Sequence, residues 1–507
     1  MIRSIMSVGG LTLLSRITGF ARDIVLASFL GAGLVADAFV VAQRLPNHLR
    51  SIFGEGAFNS AFVPAYSREM AIHGSAKAQN FAGKILSVLV ATLTILSIFA
   101  LWQMPLVIEL LAPGFSNDPN KYALTIELTR ITFPYLLLVS IVTLLSGVLN
   151  AHNRFASAAA APILLNVSVV VFVGFAFLFP SAGHAAAWGV TIAGIFEILI
   201  LLVNARRAGC LPKFQWPILD TSLRGFFRSL GPAVVSSGGI QIAMFADTIL
   251  ASLMPTGSVS AIYYADRIYQ LPVGIIAVAA GTVLLPVMSK HLGVEDTAKA
   301  ERAQSKVIGM TFALTLPFFV AFILIPDLIF DALFLHGAFT KEASLAASSV
   351  LSAYALGLIP IMLLRPVSYG FLARQDTYSP LIASVFGIGS NVFLKFLLYA
   401  EFGAAGLAYA TAMGAWVTFA ILGYLGFRKK YLRIDRSLIR IIFSTLISAC
   451  ILASFTYFMS STIFNSIIYN EKLSAVLNLI ALSVSGFVIY STCFLIFIKM
   501  IFRSKIS

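Results

Sequence analysis

The hydrophobic pattern is the first thing the chain shows. Apolar stretches of twenty or more residues follow one another along it, separated by short breaks rich in Gly, Pro and Ser. A bilayer-spanning helix needs about 20 predominantly apolar residues. By that measure the pattern predicts fourteen segments, roughly 4–30, 34–66, 80–112, 122–150, 157–180, 184–206, 222–253, 258–290, 303–325, 345–372, 377–400, 403–427, 437–460 and 474–500. The breaks carry turn chemistry: Gly31-Ala32-Gly33, Pro113-Gly114, Pro180-Ser181-Ala182-Gly183 and Pro255-Thr256-Gly257.

Composition agrees. Hydrophobic residues make up 59% of the 507 and charged residues 11%, with a mean hydropathy of +0.93. Soluble domains carry about 25% charged residues, so this chain cannot cover its surface in water and lipid is its solvent. A formal net charge of +14 would point to nucleic acid in a soluble protein, but its placement argues for topology instead. With the N-terminus in the cytoplasm, the inner loops, termini and adjoining helix ends hold 24 of the 35 Lys and Arg, the outer loops hold three (Lys121, Lys341 and Lys472), and eight lie within spans. Both termini are then cytoplasmic. No nucleic-acid partner is expected.

The chain repeats itself. Asp23-Ile24-Val25-Leu26-Ala27-Ser28 matches Asp247-Thr248-Ile249-Leu250-Ala251-Ser252. Leu45-Pro46 matches Leu271-Pro272, Val63-Pro64 matches Leu285-Pro286, and Gly147-Val148-Leu149 matches Gly370-Phe371-Leu372. Pro162-Ile163-Leu164 and the stretch from His184 continue the series at Pro380 and Gly403. Six spans per copy leave the two copies in the same orientation, a parallel repeat that suits two lobes moving about a central site. The predicted architecture is an all-α integral membrane protein of fourteen helices. An N-lobe (1–210) and a C-lobe (211–430), six helices each, surround a central cavity, and a two-helix tail (431–507) follows.

Charge inside a span costs about 2.5–3.5 kcal/mol on insertion scales, so the charged residues there mark candidate chemistry. The first two segments carry Arg16, Arg22, Asp23, Asp37, Arg44, Arg50 and Glu55; later ones carry Asp247, Asp266, Arg267, Arg365 and Lys395. Arg16 and Asp23 are seven apart and share a helical face, and Asp37, Arg44, His48 and Glu55 form one stripe. Arginine outnumbers carboxylate in the cluster. A surplus of guanidinium suits phosphate, which it grips bidentately. Arg16, Arg22, Arg50 and Arg267 are the candidate anion ligands, with Arg44, Asp23, Asp266, Glu55 and Arg365 as supporting cavity residues. A packing role for Asp23 and Asp266, and an ion pair between Asp247 and Lys395, remain open on spacing alone. Cys210, Cys450 and Cys493 are scattered, and neither a nucleotide-binding loop nor a metal-ligand spacing occurs. The run that opens the chain reads as a retained helix, since Arg16, Arg22 and Asp23 interrupt it.

These residues also carry a family likeness. Ser15, Arg16, Gly19, Phe20, Arg22 and Asp23, then Asp37-Ala38-Phe39, Leu45-Pro46-Asn47, Arg50, and Gly54-Glu55-Gly56 through Phe62-Val63-Pro64, resemble the MurJ (MviN) lipid II flippases. Tyr264-Ala265-Asp266-Arg267 and the stretch from Ser368 to Thr377 extend the match. The resemblance implies a member of the multidrug/oligosaccharidyl-lipid/polysaccharide exporter superfamily, not an enzyme, without cofactor or metal. It would sit in the bacterial inner membrane and move lipid II, undecaprenyl-pyrophosphate bearing a disaccharide-pentapeptide, to the outer leaflet for cell-wall synthesis. The alternatives within the superfamily are another undecaprenyl-linked glycan and a multidrug or cation export substrate. It further implies Arg16, Arg22, Asp37, Arg50 and Arg267 as substrate-binding residues, the last two helices as a groove for the polyprenyl chain, and cell-wall synthesis proteins as candidate partners. Some members resemble sodium-coupled carriers, and Asp247, Asn391 and Thr411 match their ligand positions. Lys395 stands where an acidic ligand belongs, so coupling to membrane potential is expected here instead.

Overall fold

The computed structural model describes residues 2–50, 56–216, 220–463 and 471–503, and every regular element among them is helical. In order these are α1 (Ile2–Leu30), α2 (Leu34–Arg50), α3 (Gly56–His73), α4 (Ser75–Trp102), α5 (Met104–Leu111), α6 (Pro119–Thr132), α7 (Tyr135–Ala151), α8 (Phe155–Gly174) and α9 (Ala182–Arg207). They continue as α10 (Thr221–Ser252), α11 (Ser258–Pro272), α12 (Val278–Gly293), α13 (Thr297–Leu324), α14 (Pro326–Phe334), α15 (Lys341–Leu372), α16 (Tyr378–Arg428), α17 (Arg436–Ile463) and α18 (Glu471–Arg503). Nine stretches among the described residues are long and apolar enough to cross a membrane.

Local chemistry sets the helix starts. Asp118 accepts hydrogen bonds from the Asn120 and Lys121 amides ahead of α6, with Pro119 in the first turn. Ser181, Asp220, Asp296 and Thr340 cap α9, α10, α13 and α15 in the same way. Each supplies the acceptor that the first turn of a helix lacks.

Several expected segments are divided. The stretch 34–66 is two helices, α2 and α3, with 51–55 outside the described residues. Segment 258–290 is α11, a π-helical turn at Val273–Ala277, and α12. Pro272 ends α11 where its missing N–H and ring would interrupt the ladder. Segments 377–400 and 403–427 are two helices, together α16, that meet at a kink at Gly403, whose φ of 54° and ψ of −137° lie outside the helical region. Position 403 therefore favours glycine.

By packing the chain forms two compact units, 1–260 with 337–339 and 261–336 with 340–507. In the first, α8 lies on α9 and α1, α2 on α6, and α10 on α3. Its core holds one cluster around Leu26, Phe39 and Leu128 and another around Phe62, Tyr66 and Leu145. In the second, α15 packs on α16, and α13 on α15 and α17, with α18 against α17 and α14. Helix α10 belongs to the first packing unit, so this division falls later in the chain than the lobe boundary expected from the repeat at 210/211.

Candidate substrate site

In the first unit, α1 presents Arg22 nine-tenths buried. Its Nε and Nη2 donate to Asp23 Oδ1 at 3.1 and 2.8 Å, and Nη1 donates to Asn166 Oδ1 at 3.0 Å. The amide of Asn166, from α8, donates in turn to the Ser15 carbonyl and Thr18 Oγ1 of α1. Gly19 faces the same amide, and a Cβ there would meet its nitrogen in ordinary van der Waals contact at 3.4 Å. One asparagine thus fixes both the position of α1 and the aim of Arg22. Arg16, one and two-thirds turns earlier, is exposed and has no hydrogen-bond or ion-pair partner among the described residues.

Helix α2 holds the polar stripe, and the structure shows where it points. Asp37 is completely buried. Its Oδ2 accepts from Lys121 Nζ at 2.7 Å and the Gly257 amide at 2.8 Å; its Oδ1 accepts from the Ser260 amide at 2.8 Å and Ser260 Oγ at 2.7 Å. Lys121 also touches Thr256 Oγ1 and lies 4.0 Å over the Phe115 ring. Arg44 donates to Thr248 Oγ1 at 3.2 Å, and His48 Nδ1 meets Gln241 Oε1 at 3.1 Å beside the Phe245 ring. The stripe expected to line a wet cavity therefore faces α6, α10 and the 256–260 turn through these three residues. Asp37, expected to touch substrate, has both oxygens occupied by protein donors, which fits a packing role. Glu55 lies outside the described residues, and Arg50 is half-buried at the end of α2.

In the second unit, the Arg267 guanidinium lies 4.6 Å over the Tyr263 ring, one helical turn away on α11. The ring face offers it a cation–π contact. Asp266 is half-buried and accepts from Gln270 Nε2. Arg365 of α15 is exposed and lines a cavity of about 270 Å³ with Ser368, Tyr369, Ser384 and Thr418.

Of the expected ion-coupling residues, Asp247 is half-buried on α10. Asn391 is half-buried on α16, its Oδ1 without a hydrogen-bond partner among the described residues. Lys395 follows one turn later and is 1% exposed. The Thr411 hydroxyl donates to its own helix at Leu407.

An apolar cavity of about 750 Å³ lies in the second unit, between α11, α13 and α14 on one side and α17 and α18 on the other. Leu314, Phe318, Leu452, Leu482, Phe487 and Phe494 are among its walls. Tyr490 also borders it, but its hydroxyl donates to the Ala313 carbonyl at 2.6 Å, so the ring can face apolar material at little cost.

Sequence reasoning missed Lys121, Ser260 and Asn166. Two carried a signal. Lys121 is one of the three basic residues expected in the outer loops, and Asn166 is the one amide in α8, whose other polar residues are Ser157 and Ser168.

The family described as "Lipid II flippase MurJ" matches residues 26–478. A protein of Rhizobium meliloti (strain 1021) named "Probable lipid II flippase MurJ" is 36% identical over 427 residues, covering 83% of this chain and 80% of its own length. One of Buchnera aphidicola subsp. Acyrthosiphon pisum with the same name is 33% identical, covering 96% of this chain and 98% of its own. Among solved structures, "Lipid II flippase MurJ, inward closed conformation" superposes with a TM-score of 0.81 over 99% of both chains at 24% identity. An inward-facing multidrug resistance MATE family transporter superposes with a TM-score of 0.69 over 84% of this chain and 98% of its own at 18% identity. These two superpositions concern the fold.

Proposed function

The chain belongs to the MurJ family of lipid II flippases, and from that premise we propose that it carries lipid II from the inner to the outer leaflet of a bacterial inner membrane by alternating access. Kinship with proteins of that name along nearly the whole chain is the observation that carries the reading. No covalent bond changes in such a step, so the protein works as a transporter and not as a catalyst.

The fourteen spans, the cytoplasmic termini and the two repeated lobes with a two-helix tail belong to this proposal. So do the site roles. Arg16, Arg50 and Arg267 receive the diphosphate, and Arg22 joins them from an orientation held by Asp23 and Asn166. A guanidinium already fixed by packing loses less side-chain entropy when it grips an anion. Asp37 acts on α2, keeping it against the 256–260 turn, instead of on the ligand. The undecaprenyl chain lies in the apolar cavity bordered by α17 and α18. Lys395 places a side chain with an ordinarily positive amine one turn from Asn391, which disfavours a sodium ion there and suits a cycle driven by membrane potential.

Depletion of the protein, with lipid II followed in each leaflet, tests the reading. Inner-leaflet lipid II should accumulate and re-expression should relieve it; if the leaflet distribution does not change on depletion, the assignment fails.

A further inference from the structure

We infer that the end of α9, residues 208–216 after it and the start of α10 form a binding site for anionic phospholipid, built from a pinned backbone with outward cations and aromatic rings. The inference is independent of the transport reading.

Three contacts hold this segment to α4. Gln79 Nε2 donates to the Gly209 carbonyl at 2.6 Å. The Lys213 carbonyl presses on Gly83 so closely that a Cβ there would lie 1.6 Å away. Lys84 Nζ donates to Asp220 Oδ2 at 2.5 Å. From Gln79 to Lys84 these anchors cover six residues of α4, five rises or about 7.5 Å of helix, so the end of α9 and the start of α10 are gathered at one place. Cys210, Leu223 and Phe226 fill the core beneath.

The side chains on the other side are exposed: Arg206 and Arg207 at the end of α9, Lys213 in the connection, Arg224 and Arg228 on the first turns of α10. None of the five has a hydrogen-bond or ion-pair partner among the described residues. The two nearby carboxylates are engaged, Asp220 by Lys84 and Glu69 by Ser222 and His73. Phe214 and Trp216, exposed at 72% and 77%, follow Lys213 along the chain. With Gly209 and Lys213 held this tightly, two large rings turned away from the core need an apolar surface outside the protein. Their level supplies one, because α9 ends at Arg207 and the α4 anchors lie within three turns of the start of that span. Aromatic rings beside Lys and Arg at a span's end are the pattern of the membrane interface. Five uncompensated cations beside them select lipids whose headgroups carry net negative charge.

The test uses the full-length protein in detergent, titrated separately with dioleoylphosphatidylglycerol and dioleoylphosphatidylcholine, with bound lipid counted by native mass spectrometry. Phosphatidylglycerol should be preferred. The variant R206Q/R207Q/K213Q should lose affinity by about fivefold per charge removed, whereas K290Q/R302Q/K306Q, also exposed, should not. Unchanged phosphatidylglycerol binding in the first variant, or an equal loss in the second, overturns the proposal. Should the first variant not fold, Trp216→Phe replaces it. In phosphatidylglycerol nanodiscs doped with lipid brominated near the headgroup, the fluorescence quenching must diminish with Trp216, and quenching that is unchanged overturns the proposal. Neither readout involves transport, so a failed lipid site and a failed flippase reading give different results.

Discussion

Lys121 and Asp37 meet at 2.7 Å, both side chains buried and that of Asp37 completely so. They lie 84 residues apart on α6 and α2. The carboxylate is saturated by four donors, two of them from Ser260 and one from Gly257. The pair therefore ties two helices and a turn through a single anion.

Breaking such a pair from one side leaves a buried charge alone, which costs about 3–5 kcal/mol. Asp37→Ala should lower the thermal midpoint of the purified protein steeply, and Lys121→Ala likewise. Asp37→Leu combined with Lys121→Met should recover part of the loss, since neither change then strands a charge. If Asp37→Ala melts with wild type, the pair does not hold this region.

Gly257 donates to Asp37 from a backbone with φ of +98°, and a Cβ there would sit 2.7 Å from the Ala32 carbonyl. Gly257→Ala should cost about 1–3 kcal/mol in backbone strain and more through that contact. Thermal unfolding beside Gly293→Ala, where a Cβ meets nothing within 4 Å, provides the scale.

Arg16 and Arg22 should separate by phenotype. A charge-assisted hydrogen bond contributes about 1.5–3 kcal/mol, so Arg16→Ala should weaken lipid II binding by about tenfold to a hundredfold at unchanged thermal stability. Arg22→Ala should reduce both, because Asp23 and Asn166 lose their partner. Arg267→Ala should weaken binding by a similar factor and also lower the thermal midpoint, because the half-buried guanidinium gives up its contact with the Tyr263 ring. Binding titrations and melting curves on the same preparations check all three, and full transport by Arg16→Ala and Arg267→Ala would remove the anion site.

The connection between α15 and α16 should be sensitive to acid. Burial pushes the Asp376 carboxyl up, but bonds from Lys429, at 2.7 Å, and from the Ser379 amide and hydroxyl outweigh it and hold the group below its ordinary value. A carboxyl whose folded value is depressed adds stability above its unfolded value, near 3.9, and loses it as pH falls through the lower folded value. Asp376→Asn should therefore melt below wild type at pH 7, and the gap should close as pH falls through 4 and below.

Filling the apolar cavity should disturb substrate with a long tail most. Gly486 lies on its wall, where a Cβ would already touch Leu452 at 3.0 Å. Gly486→Phe should slow transport of undecaprenyl-linked substrate more than that of a short-chain analogue. Equal effects on both would place the tail elsewhere.

Much of this protein was legible from its residues in order. Apolar run length fixed the solvent, because backbone groups in lipid must bond within their own helix. The motifs around Arg16, Asp37 and Arg267 carried the family. The helical period put Asp37, Arg44 and His48 on one face, and the structure keeps all three engaged, with Lys121, Thr248 and Gln241.

Period says which face, but not what lies opposite. That required tertiary structure, since Lys121, Asn166 and Ser260 reach their partners across 84, 144 and 223 positions of chain. Spacing within a helix repeats every few residues, so it fixes local orientation; a partner hundreds of residues away is chosen by packing, where a buried charge is stable only with its donors in place.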